Sequence, residues 1–297
     1  MAKRQFGVST HLYHNHRLSR EHLLEIAAHG FETVELFATR THFDFHNEAS
    51  IGDLQQWLGE AGLTLHAIHA PIGESYRGGR WEGPLTIASG DPGARAHALD
   101  QAEQALYIAR RVPTSAFVVH LGLPRWQRGD AVGGRTGAGA DAGAAAGDTR
   151  DGARRSVDHL ASIAAPLGVR IALEVIPNEL SRAGSLVHFV EEDLERTDVG
   201  ICLDFGHAHL EGDLVDTIET VSGHLATTHL HDNRGRADDH LLPFEGTIDW
   251  PGALTAIQKV GYDGPLILEI EGRGATKETL QKAKRARERM ERLMADS

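Results

Sequence analysis

A closed (β/α)8 barrel is the fold class predicted by this 297-residue sequence, and three observations predict it. Short apolar runs alternate with longer helix-like segments from end to end. The runs are apolar on both faces, as strands of a parallel sheet covered by helices must be. There are eight of them, which favours closure over an open sheet.

In order, the strand candidates are "QFGVSTH" (5–11), "TVELF" (33–37), "TLHAIHA" (64–70), "SAFVVHLG" (115–122), "RIALEVI" (170–176), "VGICLDFGH" (199–207), "ATTHLHD" (226–232) and "GPLILEI" (264–270). Between them lie helical segments such as "SREHLLEIAAHG", "ARAHALDQAEQALYIARR", "ARRSVDHLASIAAPLG", "DLVDTIETVSGHL" and "WPGALTAIQKVG". Their apolar residues fall three and four apart, and several end in glycine, the usual stop signal. We expect one barrel domain over 1–297. It is interrupted by a Gly/Ala-rich insertion at about 129–149, "GDAVGGRTGAGADAGAAAGDT". That stretch has no apolar periodicity and little to bury against the entropy cost of ordering, so poor order is expected there.

Composition narrows the function. The net charge of -12 provides no basic field for nucleic acid or an anionic membrane, although a local basic patch can survive on an acidic protein. Cys202 is the only cysteine, which excludes an internal disulfide and a thiolate zinc site. The N-terminus runs straight into a strand, and no apolar run approaches the ~18 residues of a membrane span. A cytoplasmic protein without a membrane partner is therefore expected. Self-association into a homo-oligomer is left open.

The strands break their own rule at one end. His69, His120, Glu174, Asp204, His229 with His231, and Glu269 all fall near strand C-termini. Buried unpaired carboxylates are costly, so three in one barrel mouth call for positive charge. No lysine or arginine lies within those strands, and Arg170 starts its strand at the opposite rim. The missing charge is read as a divalent cation, or several. Carboxylate and imidazole without sulfur suit Zn²⁺, Mn²⁺, Co²⁺ or Fe²⁺ better than Ca²⁺. His229 and His231, two apart on a strand, must face the same way, and both are read as inward. In "DFGHAH", Asp204 and His207 straddle a strand end; in "ADDH", Asp238 and His240 are spaced to grip one ion. With His207, that pair makes three protein ligands and an open fourth position. Any single one of these residues could instead be a hydrogen-bonded structural group. Six strands carrying them at the same end are harder to explain that way.

The motifs "HAP" (69–71), "LEVIPN" (173–178), "CLDFGHAH" (202–209), "HLHDN…DDHLLPFEGTIDW" (229–250) and "GYDGPLILEI" (261–270) resemble the xylose isomerase-like TIM-barrel superfamily of sugar isomerases and epimerases, inosose dehydratases and endonuclease IV. The resemblance implies one of two activities. Ketose epimerases of the tagatose type hold one metal with residues matching Glu174, Asp204, His229 and Glu269, with His231 the competitor for the third place. Glu174 and Glu269 would then exchange a proton on opposite faces of a carbon beside a carbonyl, with His207, His231, Arg234 and Arg236 near a sugar-like substrate. Endonuclease IV instead takes three zinc ions, and its nine ligands have counterparts in His69, His120, Glu174, Asp204, His207, His229, Asp238, His240 and Glu269. That alternative implies a multi-zinc phosphodiester hydrolase acting on DNA. The isomerase or epimerase reading leads, with one to three divalent ions, because the acidic surface suits a small molecule better than DNA.

Other residues are assigned from the sequence alone. Glu35 either orders a histidine or is simply hydrogen-bonded. His11, His14 and His16 are placed at the surface, bordering the pocket mouth. Trp250 packs at a helix start capped by Asp249 or Thr247, and Cys202 fills core space. In "IGESYRGGRWEGPL" (72–85), read as a loop, Tyr76, Arg77, Arg80 and Trp81 are noted without a broad basic surface around them.

Overall fold

The computed structural model describes residues 4–77, 80–125, 148–194, 196–272 and 274–296. Its ten strands are β1 (Phe6–Ser9), β2 (Thr33–Phe37), β3 (Thr64–His69), β4 (Gly73–Arg77), β5 (Arg80–Pro84), β6 (Ala116–Val119), β7 (Arg170–Glu174), β8 (Val199–Asp204), β9 (Leu225–Leu230) and β10 (Leu266–Leu268). Eight of them close a barrel in the order β1-β10-β9-β8-β7-β6-β3-β2, and the barrel pairs are parallel. Each of the eight strands predicted from the sequence is in the barrel.

Register places the polar strand ends level with one another. Glu174 pairs with Cys202, Asp204 with His229, Ser9 with Glu35 and Phe37 with His69. The ladder shifts between Val34 and Glu35, and again between Ile201 and Cys202. Such irregularities re-aim side chains and are common beside functional sites. Both precede a carboxylate of the mouth by no more than three residues.

The interior is small-sided. Ala67, Ala116, Val118, Ala172 and Cys202 form their own buried cluster, so Cys202 is the core filler expected. The larger apolar cluster joins strands to helices. Those helices are α1 (Arg20–Ala28), α2 (Glu48–Ala61), α3 (Pro92–Leu106), α4 (Arg150–Ala164), α5 (Ala183–His188), α6 (Phe205–Glu211), α7 (Leu214–Val221), α8 (Trp250–Lys259) and α9 (Thr276–Ala295). Asn47, Asp91, Thr149, Asp213 and Asp249 each accept a backbone N–H at a helix start, satisfying donors that the helix leaves without partners. Among the described residues, no helix is long and apolar enough to cross a membrane. The expected insertion at 129–149 lies outside the described residues except for Asp148 and Thr149.

One element departs from expectation. The "IGESYRGGRWEGPL" stretch contains an antiparallel hairpin, β4 with β5, in which Tyr76 pairs with Trp81. It is separate from the barrel sheet. Its rings rest on the mouth: Tyr76 meets His14 edge-on at 4.4 Å between centroids, and Trp81 lies 5.5 Å from Phe37.

Candidate metal centre

Four ligand atoms converge where β7, β8, β9 and β10 end. Glu174 closes β7, Asp204 closes β8, His229 sits in β9 and Glu269 follows β10. All four are buried, and one ligand atom from each lies within 4.8 Å of the others. His229 Nδ1 is 3.3 Å from Glu269 Oε2, 3.5 Å from Glu174 Oε1 and 3.9 Å from Asp204 Oδ2. Four ligands at 2.0–2.1 Å around a tetrahedral ion would be spaced about 3.3 Å apart. Glu174 Oε1, Asp204 Oδ2 and His229 Nδ1 are buried with no hydrogen-bond partner. Unpaired buried atoms of that kind are costly, and a cation at their centre is what this donor set fits.

His229 is held in one orientation. Its Nε2–H donates to Glu35 Oε2 at 2.8 Å, and Glu35 is itself fully buried. The other nitrogen, Nδ1, therefore turns its lone pair toward the three acids, a pairing that raises ligand basicity. His69 and His120 complete the far side, each with Nε2 3.0 Å from Glu174 Oε2. His69 also holds Ala70 O through Nδ1 at 2.8 Å.

A second cluster lies beside the first. His207 is in α6, His231 follows β9, and Asp238 and His240 come from the loop beyond; their ligand atoms also lie within 4.8 Å of one another. His207 Nε2 and His240 Nε2 stand 3.3 and 3.2 Å from Asp238 Oδ2, and His231 Nε2 stands 3.7 Å from Asp238 Oδ1. The trio of His207, Asp238 and His240 read from the sequence is brought together, and His231 adds a fourth candidate ligand atom beside it, with its Nε2 also 3.0 Å from Asp204 Oδ1.

Electrostatics match this crowding of opposite charges. Burial pushes the Glu174 carboxyl upward, yet His120 and His229 outweigh it and hold the group well below the usual carboxylate range. Burial pushes the His240 imidazole down, but Asp238 dominates and raises it to about 10. Asp238, raised by burial, is held well below its usual value by His240 and His207. Protons on the imidazoles thus balance the acids, and a cation would have to displace them.

The loop carrying the second cluster is organised by a residue that sequence reasoning did not single out. Asp232 is fully buried. Its Oδ2 accepts from Phe244 N and Trp250 Nε1, at 3.0 and 2.8 Å, and its Oδ1 accepts from Asn233 N and Ile248 N, at 2.9 and 3.2 Å. A Cβ on Gly246 would fall 2.2 Å from Asp232 Oδ1, so only glycine admits this approach. The clue available in the sequence was alternation: next to an inward His231, Asp232 has to face the helical layer, where a bare acid needs donors. Trp250 is the buried helix-start residue expected, and Asp249 is its cap.

One other assignment from the sequence changes. His11 and His14 are buried rather than on the surface, while His16 is exposed. His11 stacks on His14 at 4.6 Å, lies 4.9 Å from His240 and lines the same cavity as Glu174, Glu269 and Trp81. "THLY" forms a short 3-10 turn, Thr10–Tyr13, with His14 at its C-terminal end. Arg234 and Arg236 are exposed on the loop and do not line that cavity.

Comparison with known proteins places this geometry in a lineage. Residues 23–295 match the family described as xylose isomerase-like TIM barrel. The sequence is 25% identical over 274 residues, 89% of this chain and 83% of the other, to a Methanocaldococcus jannaschii protein described as uncharacterized. It is 28% identical over 133 residues to inosose isomerase of Bacillus subtilis, covering 39% of this chain and 46% of that one. It is 29% identical over 122 residues to ketose 3-epimerase of Arthrobacter globiformis, covering 39% and 40%. The match therefore spans less than half the length of either enzyme. Among solved structures, a D-tagatose 3-epimerase-like protein has a TM-score of 0.76 at 22% identity over 98% of both chains. The IOLI protein with a binding zinc atom has a TM-score of 0.71 at 15% identity, again over 98% of both. At these identities the structures speak for the fold. The sequence match over nearly the whole chain does more, and on it the chain belongs to the xylose isomerase-like TIM barrel family.

Proposed function

We propose that the protein is a divalent-cation-dependent isomerase or epimerase of a sugar, sugar phosphate or polyol derivative, with its 297 residues acting as one barrel domain. One observation carries the reading: Glu174 and Glu269 approach the same imidazole, His229, from separate strand ends and both line the cavity. Relatives named inosose isomerase and ketose 3-epimerase support the reaction class, and the zinc atom in the IOLI structure supports a cation.

Glu174, Asp204, His229 and Glu269 would hold the ion, with Zn²⁺, Mn²⁺, Co²⁺ or Fe²⁺ the suitable elements. When bound, it supplies Lewis-acid polarisation of a carbonyl and its neighbouring oxygen. The chain's own part is proton transfer. Glu174, held ionised by His120 and His229, takes a proton from the carbon beside the carbonyl. Glu269 returns one from the other face. His11, Phe37 and Trp81 form an aromatic side of the cavity that excludes water from the reacting carbon.

A multi-zinc phosphodiester hydrolase is the second reading, because the counterparts of all nine endonuclease IV ligands gather at one end of the barrel. The test addresses the first. Protein loaded separately with zinc, manganese or cobalt is assayed on ketoses, their phosphates and inososes in deuterated water. Deuterium should enter at the carbon beside the carbonyl. Glu174→Gln and Glu269→Gln should each lower turnover by about 10²–10⁴-fold, the range for losing one positioned acid or base. Activity retained in a variant that has lost its metal would sink the assignment.

A further inference from the structure

Basic charge on this acidic chain gathers along one helix. Seven of the twenty residues of α9 are lysine or arginine and three are glutamate, while the whole chain carries -12. Lys282, Arg285 and Arg289, spaced three and four apart and so on one face of the helix, line a groove of about 220 Å³ beside the 242–245 turn. All three are exposed. Among the described residues none of them forms an ion pair, whereas Arg287 pairs with Glu291.

The groove has a fixed shape. Leu242 and Ala286, both buried, give it an apolar side. Phe244 takes a left-handed backbone conformation, φ 74°, uncommon for a residue with a side chain, and its N–H donates to Asp232 Oδ2 at 3.0 Å. The Arg289 guanidinium lies over the Phe244 ring, with Cζ 4.0 Å from its centroid. That stacking occupies the flat face of the guanidinium and leaves free the N–H edge that forks onto an oxyanion. Lys282 and Arg289 stand about 10 Å apart along the helix axis, more than one phosphate or carboxylate bridges.

We propose that the groove binds a small linear polyanion carrying two or more phosphate or carboxylate groups, one on Arg285 and Arg289 and another on Lys282. Its volume, below that of a drug-sized pocket, suits such a ligand. Glu245 also lines the groove and opposes an anion. None of these residues lines the cavity of Glu174 and Glu269, so the site is independent of the isomerase reading.

The test is site-resolved and uses no turnover. The full chain is treated with phenylglyoxal at constant ionic strength, in inorganic triphosphate, in citrate or in chloride alone, and modified arginines are counted by peptide mass spectrometry. Arg292, exposed on the same helix but outside the groove, is the internal control. Triphosphate or citrate should half-protect Arg285 and Arg289 at a concentration at least tenfold lower than it needs at Arg292. Protection by triphosphate alone would make the ligand a phosphate chain, and by citrate alone a polycarboxylate. Lys282→Gln should raise the half-protecting concentration about tenfold and Glu245→Gln should lower it. Lys277→Gln, which removes the same charge from the same helix outside the groove, should leave it unchanged. No protection beyond that of chloride, equal protection of Arg292, or equal effects of Lys277→Gln and Lys282→Gln would each overturn the site.

Discussion

Glu35 shows how much rests on a single residue. It is a fully buried carboxylate on β2 whose Oε2 accepts from His229 Nε2, while its Oε1 has no partner. As a core residue alone it is a poor choice, because an apolar side chain would fill the same space without desolvating a charge. Its worth lies in fixing which nitrogen of His229 faces Glu174, Asp204 and Glu269. Glu35→Gln keeps the shape but weakens the acceptor, and partners of metal-ligating histidines are typically worth 10–100-fold in affinity. We expect zinc or manganese affinity to fall by about that factor, measured by competition with a chelating dye, while thermal stability of the metal-free protein holds or rises. Unchanged affinity would reduce Glu35 to a packing residue. The sequence marked it as an acid in an apolar run, but nothing in "TVELF" named its partner, which is 194 positions away.

At the scale of elements, the strands and their polar ends were legible because burial on both faces leaves a strong pattern, and a charged residue inside it stands out. The hairpin of β4 and β5 was not legible, since "RWEGP" is mostly exposed and neither it nor "GESYR" carries an apolar alternation. The burial of His11 was missed for a related reason: a four-residue turn has no period to read. That turn is fastened by a relay. His42 Nδ1–H donates to His16 O at 2.7 Å, Thr10 Oγ1–H donates to His42 Nε2 at 3.1 Å, and Phe37 N–H donates to Thr10 Oγ1 at 2.9 Å. The relay needs His42 neutral, and burial lowers its pKa to about 4. The unfolded chain would protonate it near 6.5. Between those values the unfolded state binds more protons, so wild-type stability falls as pH drops through the window and levels off below about 4. A shift of that size is about 3 kcal/mol. In urea unfolding, the stability advantage of wild type over His42→Gln should be largest above pH 6.5 and narrow by about that amount near pH 4. A gap that stays constant across the window would mean His42 is not a neutral link.

Across the whole molecule the two functional readings make opposite demands. Both use the same mouth, and the motifs that revealed it could not separate them, because ligand identity reads the same for an ion that turns over phosphodiesters and one that polarises a ketone. What separates them lies outside the ligands. A bent duplex needs a basic face, since phosphate contacts supply most of the affinity of DNA-binding proteins, whereas this chain carries a net charge of -12. We therefore expect no retention of an abasic-site duplex at 0.15 M salt by gel shift, and no cleavage above background when the protein is saturated with zinc. Ketose or inosose turnover in the same preparation should respond to Glu174→Gln. Strand cleavage far above background, abolished by Asp238→Ala with His240→Ala, would reverse the order of the two readings.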